Sequence, residues 1–501
     1  MADRASLSVR CCTQGLPLVD ALNKRARRRF EVPLHVPGHK RGRGAGNELV
    51  NLIGDKALSC DATELKGLDN LSNPNGVIEE AQMLARETFG SEKTWFLVNG
   101  CTVGVQASIM ATCAENSVCI LARNCHVSAF SGLVLSGCRP VYVLPEHDVG
   151  NGIAHCVTVK AVQEALENAT KKKLKVGAVV IVSPTYFGAV ANVRDLADLC
   201  HSYDVPLIVD EAHGGHFKFH EGFPAAAIDC GADIVIQSTH KSLTSMTQSA
   251  MLHLKSDRVS PQKITKLLRL LQTSSPSYLL MASLDAARKQ CQNPKLFSKP
   301  LHAAETARKM LRKLPEVRLL EDGIVDAYKG VHAYDPLRIC LCMEALPMSG
   351  FELYDALEDQ HGIVGEFATE QLVNFIFGPG SGLDDGIALG TALASCLNNL
   401  NSDEIKRSQN SQHQKSGPWL PEVELTPKEA FYSASERVPL VESIGRLSAE
   451  SICPYPPGIP MVCPGERITK KLIEALQVAQ VSTITGAQDP TLRTILVVCH
   501  G

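Results

Sequence analysis

Asp210 and Lys241 are the residues whose types and surroundings most clearly suggest chemistry. Asp210 follows the apolar run PLIV (206–209) within PLIVDEAHGGH, and Lys241 follows the run DIVIQ and the tripeptide STH. The letters DEAH also occur in ATP-driven helicases, but those enzymes need a phosphate-binding loop of the form GxxxxGK[ST]. The sequence contains no Gly-Lys dipeptide, so we exclude a nucleic-acid motor.

Apolar runs between residues 90 and 255 are each followed by polar, small or ionisable residues. The runs alternate with helix-like stretches, which is typical of α/β folds with strands buried on both faces. In an open parallel sheet the carboxyl ends of the strands share one edge, where ligands bind. We expect five segments to meet there: NGCTVG after WFLV, RNCHVS after VCILA, SPTYFG after VVIV, DEAHGG after PLIV, and STHKS after DIVIQ.

Two of these strand ends could together bind a phosphate. NGCTVG precedes the helix-like stretch VQASIMATC. Gly100, Cys101 and Thr102 would therefore present backbone N–H groups at a helix N-terminus, which attracts anions. Ser238 and His240 would add donors from the second strand end, directly before Lys241.

A lysine beside a phosphate site and facing an aspartate is the arrangement that pyridoxal phosphate requires. The Lys241 amine would form a Schiff base with the aldehyde, and Asp210 would keep the pyridine nitrogen protonated so that the ring accepts electrons. His126, in RNCHVS, would stack on the ring. The histidines of AHGGHFKFH lack the HExxH spacing, so we predict no metal site.

The composition is that of a globular protein with more than one domain. The chain has 501 residues, of which 45% are hydrophobic and 21% charged, and a net charge of -3. That charge provides no broad basic surface for nucleic acid. The 18 cysteines are scattered, which favours reduced thiols inside the cell. We expect a cytoplasmic protein without a membrane span; a plastid or other organelle is the alternative if residues 1–15 are a targeting remnant.

The chain resembles the Orn/Lys/Arg decarboxylases, pyridoxal-phosphate enzymes of the aminotransferase-like fold (fold type I). The motifs occur in the family's order from about residue 16 to 470. The segment PLVDAL (17–22) occurs close to the first residue of the sequence. In this respect the chain resembles the short form of the family, which has no N-terminal wing domain. Besides the strand-end motifs, the resemblance rests on HVPGHKRG (35–42), TELKGLDNLSNPNGVIEEAQ (63–82), SSPSYLLMASLDAAR and VPLVESIGRLSAESICPYPPGIPMVCPGE (438–466).

The resemblance implies an α/β large domain with a mainly parallel sheet, followed by smaller α+β C-terminal domains. After about residue 255 the pattern becomes helical. The stretch around 399–420 is polar, which predicts a linker. We therefore expect an N-terminal arm over 1–50 and a cofactor-binding large domain over 51–325. A small α+β domain would cover 326–410, and a linker and C-terminal decarboxylase domain 411–501.

The resemblance also implies a role for each matching residue. Lys241 corresponds to the Schiff-base lysine, Asp210 to the partner of the pyridine nitrogen and His126 to the stacking residue, with His213 close by. We predict these four as catalytic. The phosphate-binding positions correspond to Cys101, Thr102, Ser238 and His240.

The chain departs from the family pattern at three positions. Cys101 stands where the family usually has Ser or Thr, and a thiol is a weak donor. Val127 stands where bacterial members often have Lys, and Ser72 where His is expected. These departures concern affinity and substrate choice.

The implied reaction is decarboxylation of a basic L-amino acid to its amine, as in polyamine or diamine biosynthesis. Carboxylates must bind the cationic end of the substrate, and Glu64, Asp69 and Glu466 are the candidates. Some would be donated across the interface of a homodimer or larger homo-oligomer, because the family's active sites are shared. The sequence leaves open arginine, lysine or ornithine. Alternatives are another pyridoxal-phosphate reaction, such as transamination or a lyase reaction, and a non-catalytic regulatory homologue.

Overall fold

The computed structural model describes residues 15–28, 30–315, 317–398, 419–479 and 483–499. Most of the predicted linker around 399–420 and almost all of the candidate targeting segment lie outside the described residues. In the described ranges, no helix combines the length and the apolar character that crossing a membrane requires.

The described residues form a seven-stranded central sheet in the order β1-β7-β6-β5-β4-β2-β3. Neighbouring strands from β6 to β3 are parallel, and β7 is antiparallel to both β1 and β6. The carboxyl ends of β1, β2, β4, β5 and β6 therefore share one edge. The strands, numbered in chain order, are Lys93–Leu97, Val118–Ala122, Arg139–Val143, Val176–Val182, Leu207–Asp210, Ile234–Gln237 and Ala250–Leu254.

Helices flank this sheet, and several begin at capping signals. Ser260 accepts a hydrogen bond from the Lys263 backbone N–H, and Pro261 occupies the first helical turn. The helices around the large sheet are Pro17–Ala26, Asn47–Cys60, Val77–Phe89, Gly100–Thr112, Val127–Ser136, Val159–Lys171, Val193–Ser202, Thr239–Ser242, Pro261–Leu271 and Tyr278–Gln290. A 3₁₀ turn spans Phe217–Phe219.

A second, four-stranded antiparallel sheet follows, in the order β8-β9-β11-β10. Its first strand precedes residue 326, and the helix Ser298–Leu311 packs on the helix Leu383–Asn398. We therefore propose that the small domain begins near residue 298 instead of 326. The strands are Arg318–Leu319, Arg338–Cys342, Phe367–Ala368 and Leu372–Ile376, and the other helices are Ile324–Ala327 and Gly350–His361.

The C-terminal region has a hydrophobic cluster of its own, which includes Ile452, Val462 and Leu476. Its helices are Pro427–Tyr432 and Lys470–Ala479, with a 3₁₀ turn at Leu440–Ser443. Its strands pair as Ser435–Pro439 with Thr494–Val498, and Cys453–Tyr455 with Thr483–Thr485. Outside the main sheets, Ala189–Ala191 pairs with Val331–Tyr334, and His147–Asp148 with Ile153–Ala154.

Candidate active site

A cavity of about 220 Å³ opens at the carboxyl edge of the central sheet. Its wall includes residues from all five strand-end motifs, so the topology brings together the segments that the sequence predicted to meet. The C-terminal region closes one side. The wall includes Gly100, Cys101, Thr102, Asn124, His126, Ser128, Thr185, Tyr186, Asp210, His213, Ser238, His240, Lys241, Tyr455, Pro457 and Ile459.

Lys241 supplies an amine to this cavity. It lies on the short helix Thr239–Ser242, directly after β6. Its Nζ is 3.0 Å from Nε2 of His213 and 6.0 Å from the centre of the Tyr186 ring. The amine is therefore positioned by one hydrogen bond and an aromatic face.

Asp210 supplies a buried carboxylate. It is the last residue of β5, is 6% exposed, and accepts a hydrogen bond of 3.2 Å from the backbone N–H of Ala212. Burial raises the pKa of Asp210, and the hydrogen bond from the Ala212 backbone N–H partly opposes that shift. A cationic group on a bound molecule would also stabilise the ionised carboxylate.

His126 is held as a neutral ring. It caps the helix Val127–Ser136, where its Nδ1 accepts a hydrogen bond of 3.2 Å from the Ser128 backbone N–H. Burial lowers the pKa of His126 to about 4, with a further contribution from Lys241. On its other side lies Gly458, where a Cβ atom would come within 2.9 Å of Cδ2. The ring orientation is thus fixed from both sides.

The predicted phosphate-binding residues converge. The helix Gly100–Thr112 has no side-chain cap at its N-terminus, which leaves backbone N–H groups available to an anion. Ser238 Oγ donates a hydrogen bond to Cys101 Sγ at 2.9 Å, and Nδ1–H of His240 donates to a backbone carbonyl. Burial raises the pKa of Cys101, so its thiol stays neutral. Thr102 also lines the wall.

His213 links Lys241 to a residue that sequence reasoning missed. Its Nδ1 lies 2.7 Å from Nη2 of Arg338, on β9 of the second sheet. Tyr186 is a second missed residue, and its ring packs edge-on against His213 at 4.6 Å. Tyr186 lies in SPTYFG, so its strand-end position was a usable signal. Arg338 is the second residue of the strand-like run LRICLCM, which carries no sign of a site.

Among the described residues, the cavity wall does not include Glu64, Asp69 or Glu466. Asp69 accepts backbone N–H groups from a turn and from the first turn of the helix Val77–Phe89, including those of Gly76 and Ile78. Its carboxylate therefore organises the loop in this chain.

Glu466 is fully buried. Its Oε2 accepts hydrogen bonds from Nη2 of Arg123 at 3.1 Å and from the Cys463 backbone N–H at 3.0 Å. Arg123 also donates to the carbonyl oxygens of Pro460 and Met461. The ion pair joins the C-terminal region to the end of β2. Glu466 therefore lies in a buried contact between the C-terminal region and the end of β2, and not among the residues of the cavity wall.

Val127 and Ser72, the other two departures from the family pattern, each donate a backbone hydrogen bond. The backbone N–H of Val127 donates to the carbonyl of Gly458 at 3.0 Å. Ser72 lies in a turn, where its N–H donates to Oδ1 of Asn70 at 2.7 Å.

The residues present fit pyridoxal phosphate. An amine, a buried carboxylate, a neutral aromatic ring and an uncapped helix N-terminus surround one cavity. The amine suits the aldehyde of the cofactor, and the carboxylate suits its pyridine nitrogen. The aromatic ring suits the face of the cofactor ring, and the helix N-terminus suits its phosphate.

Similarity to known proteins covers most of the chain. Residues 16–382 match the Orn/Lys/Arg decarboxylase major domain, and residues 406–485 match the C-terminal domain of that family. Arginine decarboxylase of Bacillus subtilis (strain 168) is 35% identical over 489 residues, covering 96% of this chain and 97% of that protein. Arginine decarboxylase of Bacillus anthracis is 33% identical over 491 residues, covering 96% and 97% respectively.

The fold is also similar to that of solved structures. The crystal structure of the lysine decarboxylase of Francisella novicida superposes with a TM-score of 0.81 at 23% identity, covering 97% of this chain and 81% of that chain. This likeness confirms the predicted fold class. Together with the two matched domains and the relatives above, it leads to one conclusion: the chain belongs to the Orn/Lys/Arg decarboxylase family.

Proposed function

We propose that this protein uses pyridoxal phosphate to decarboxylate a basic L-amino acid, with arginine as the first candidate. The observation that carries the proposal is the convergence of Lys241, Asp210 and His126 on one cavity at the carboxyl edge of the sheet. Family membership supports the reaction class. The relatives from Bacillus subtilis and Bacillus anthracis, both named arginine decarboxylase, support the choice of arginine.

When bound, pyridoxal phosphate supplies an aldehyde for an amino group and a ring that accepts the electrons of the broken bond. Lys241 would hold the aldehyde carbon. Asp210 would keep a proton on the pyridine nitrogen, and His126 would pack against the ring face. Thr102 and the N-terminal amides of the helix Gly100–Thr112 would bind the phosphate.

A proton must reach Cα of the substrate after carbon dioxide leaves. Lys241 and His213 are the candidate donors, because they lie 3.0 Å apart at the cavity wall and can exchange a proton. Removal of either group would slow this step.

The cationic end of the substrate requires a carboxylate. We propose that Glu64 of a second copy serves this role, in a homodimer or larger homo-oligomer, because the Asp69 carboxylate already accepts backbone N–H groups of its own loop. Support comes from apolar side chains left exposed on the N-terminal segment, including Phe30 at 100%, Leu34 at 89% and Leu52 at 79%. Such a surface is typical of an interface.

We further propose that the protein works in the cytoplasm. All 16 cysteines in the described part of the chain are free thiols, which fits a reducing compartment.

The test is incubation of the purified protein with pyridoxal phosphate and, in turn, arginine, lysine and ornithine. Carbon dioxide and the matching amine are expected, with the highest kcat/KM for arginine. A transaminase would instead release a keto acid, and a regulatory homologue would release neither product. Lys241→Ala should lose all turnover, whereas Lys263→Ala, at an exposed lysine, serves as the matched control.

A further inference from the structure

A buried arginine contacts the active-site histidine from the small-domain side. Arg338 is 1% exposed, and its Nη2 lies 2.7 Å from Nδ1 of His213. Its Nε lies 3.6 Å from Oδ2 of Asp335, whose Oδ1 is 3.0 Å from Nε2 of His216. A guanidinium is thus inserted between the Asp335 carboxylate and the ring that faces Lys241.

The backbone around Gly188 leaves Arg338 little freedom to move. Gly188 has φ +99°, and a Cβ atom there would lie 3.0 Å from Cβ and Cγ of Arg338 and 2.9 Å from the Tyr334 ring. The carbonyl of Gly188 accepts a hydrogen bond of 2.9 Å from the Asp335 backbone N–H. The last residue of the SPTYFG motif therefore packs directly against the arginine stem.

Hydrogen-bond counting then determines where the His213 proton lies. A guanidinium only donates, so Nδ1 of His213 must accept from Arg338. Burial, together with the positive charge of Arg338, holds the pKa of His213 well below its usual value, and the ring is neutral. A neutral imidazole that accepts at Nδ1 carries its proton at Nε2.

The same counting applies to the lysine. Nε2 of His213 faces Nζ of Lys241 at 3.0 Å. If Nε2 carries the proton, the lysine nitrogen must accept the hydrogen bond, and an ammonium group has no lone pair with which to accept. The geometry is therefore satisfied only by an uncharged amine.

We propose that Arg338 is a positioning residue: it fixes the Nε2–H tautomer of His213 and thereby keeps the Lys241 amine uncharged. An uncharged amine can attack an aldehyde carbon to form a carbon–nitrogen double bond. Its two hydrogens leave with the carbonyl oxygen as one water molecule. This use of the amine rests on the proposed function, whereas the direction of the hydrogen bonds does not.

The first test reads the tautomer directly. Solid-state NMR of the full chain labelled with [¹⁵N]histidine distinguishes protonated from unprotonated ring nitrogens, and His213→Gln identifies the signals of His213. We expect Nε2–H in the parent and a shift towards Nδ1–H in Arg338→Met. Arg288→Met is the matched control, because Arg288 is an equally buried arginine that donates to Asp285 and to the Gly15 carbonyl instead.

Two outcomes of this test would overturn the inference. One is an Nδ1–H tautomer in the parent, and the other is an unchanged tautomer in Arg338→Met. If Arg338→Met does not fold, an Nδ1–H tautomer in the parent spectrum would still overturn the inference.

The second test measures the amine itself. The full chain, freed of bound carbonyl compounds, is acetylated with a trace of reagent at neutral pH, and Lys241 is quantified by mass spectrometry relative to the exposed Lys263. Loss of the hydrogen bond in Arg338→Met should lower the relative labelling of Lys241 about fivefold. His213→Gln should retain the relative labelling of Lys241, since the nitrogen of the glutamine amide donates a hydrogen bond but cannot accept one. Equal labelling of parent and Arg338→Met would contradict the inference.

Neither measurement uses turnover. A chain that decarboxylates no basic amino acid but shows the Nε2–H tautomer would refute the proposed function alone. An active decarboxylase with an Nδ1–H His213 would refute the role of Arg338 alone.

Discussion

Glu466→Gln distinguishes a structural carboxylate from one that binds substrate. The substitution keeps the size of the side chain and removes its charge. Arg123, which is 9% exposed, would then lose its ionic partner while remaining buried. We expect Glu466→Gln to destabilise the C-terminal region. The rate of the reaction should fall only to the extent that this destabilisation displaces residues of the cavity wall.

The magnitude follows from burial of both partners. Removing one partner of a buried ion pair typically costs about 3–5 kcal/mol. The glutamine Oε1 can still accept one hydrogen bond in place of Oε2, and Arg123 retains two carbonyl partners. We therefore expect ~3 kcal/mol, at the lower end of that range.

The assay is hydrogen exchange across a urea series, read by mass spectrometry on the peptide that covers the strand Ser435–Pro439. A peptide-level signal reports the free energy of unfolding of this region, which a whole-chain melting curve would average with the other domains. Glu474→Gln is the control, because that carboxylate is exposed and its loss should change the free energy by less than ~0.5 kcal/mol.

A double-mutant cycle completes the experiment. Arg123→Met alone leaves Glu466 as an unpaired buried charge, whereas the Arg123→Met, Glu466→Gln double variant buries no charge at this position. The double variant should therefore lose less stability than the sum of the two single variants. Unchanged stability of Glu466→Gln together with a raised KM for the amino acid would refute this reasoning and favour a substrate contact.

Three other predictions concern the cavity. Asp210→Asn should keep some cofactor but lose on the order of 100-fold or more in kcat, because an amide cannot hold the pyridine proton; a variant within twofold of the parent would contradict this role. Cys101→Ser should bind pyridoxal phosphate more tightly by ~1 kcal/mol or more if the side chain reaches the phosphate, as measured by cofactor dissociation, and equal affinities for Cys, Ser and Ala would show that it does not. The pKa of His126 is lowered from 6.5 to about 4, so the unfolded chain binds more protons between these values and the folded state loses stability as the pH falls through that window. His126→Phe should therefore show a smaller fall in Tm between pH 7 and pH 5 than the parent, and an equal fall would contradict the assignment.

The central sheet was predictable because its strands are continuous apolar runs. VCILA coincides with β2, and the runs around β1, β4, β5 and β6 were placed to within a few residues. Strands buried on both faces leave this signal in the sequence whatever their neighbours are. The antiparallel direction of β7 and the start of the small domain had no such signal, since strand pairing is decided between distant segments.

The family and the fold class followed from the amino-acid sequence alone, and so did the prediction of a candidate site at the carboxyl edge of the sheet. Each of these depends on local patterns: an apolar run, followed by residues that can donate, accept or carry charge. Lys241 and Asp210 were identified in this way, and the structure brings both to one cavity. Their catalytic roles stay predictions.

The partner of each charged group, in contrast, is set by tertiary packing. Glu466, a candidate for substrate binding, lies instead against Arg123, far away in the sequence, and Arg338 from the second sheet contacts His213. A carboxylate or guanidinium has the same appearance in a sequence whether it faces solvent, substrate or a buried opposite charge. Its role depends on desolvation and on the groups within hydrogen-bonding distance, and both are set by how distant elements pack.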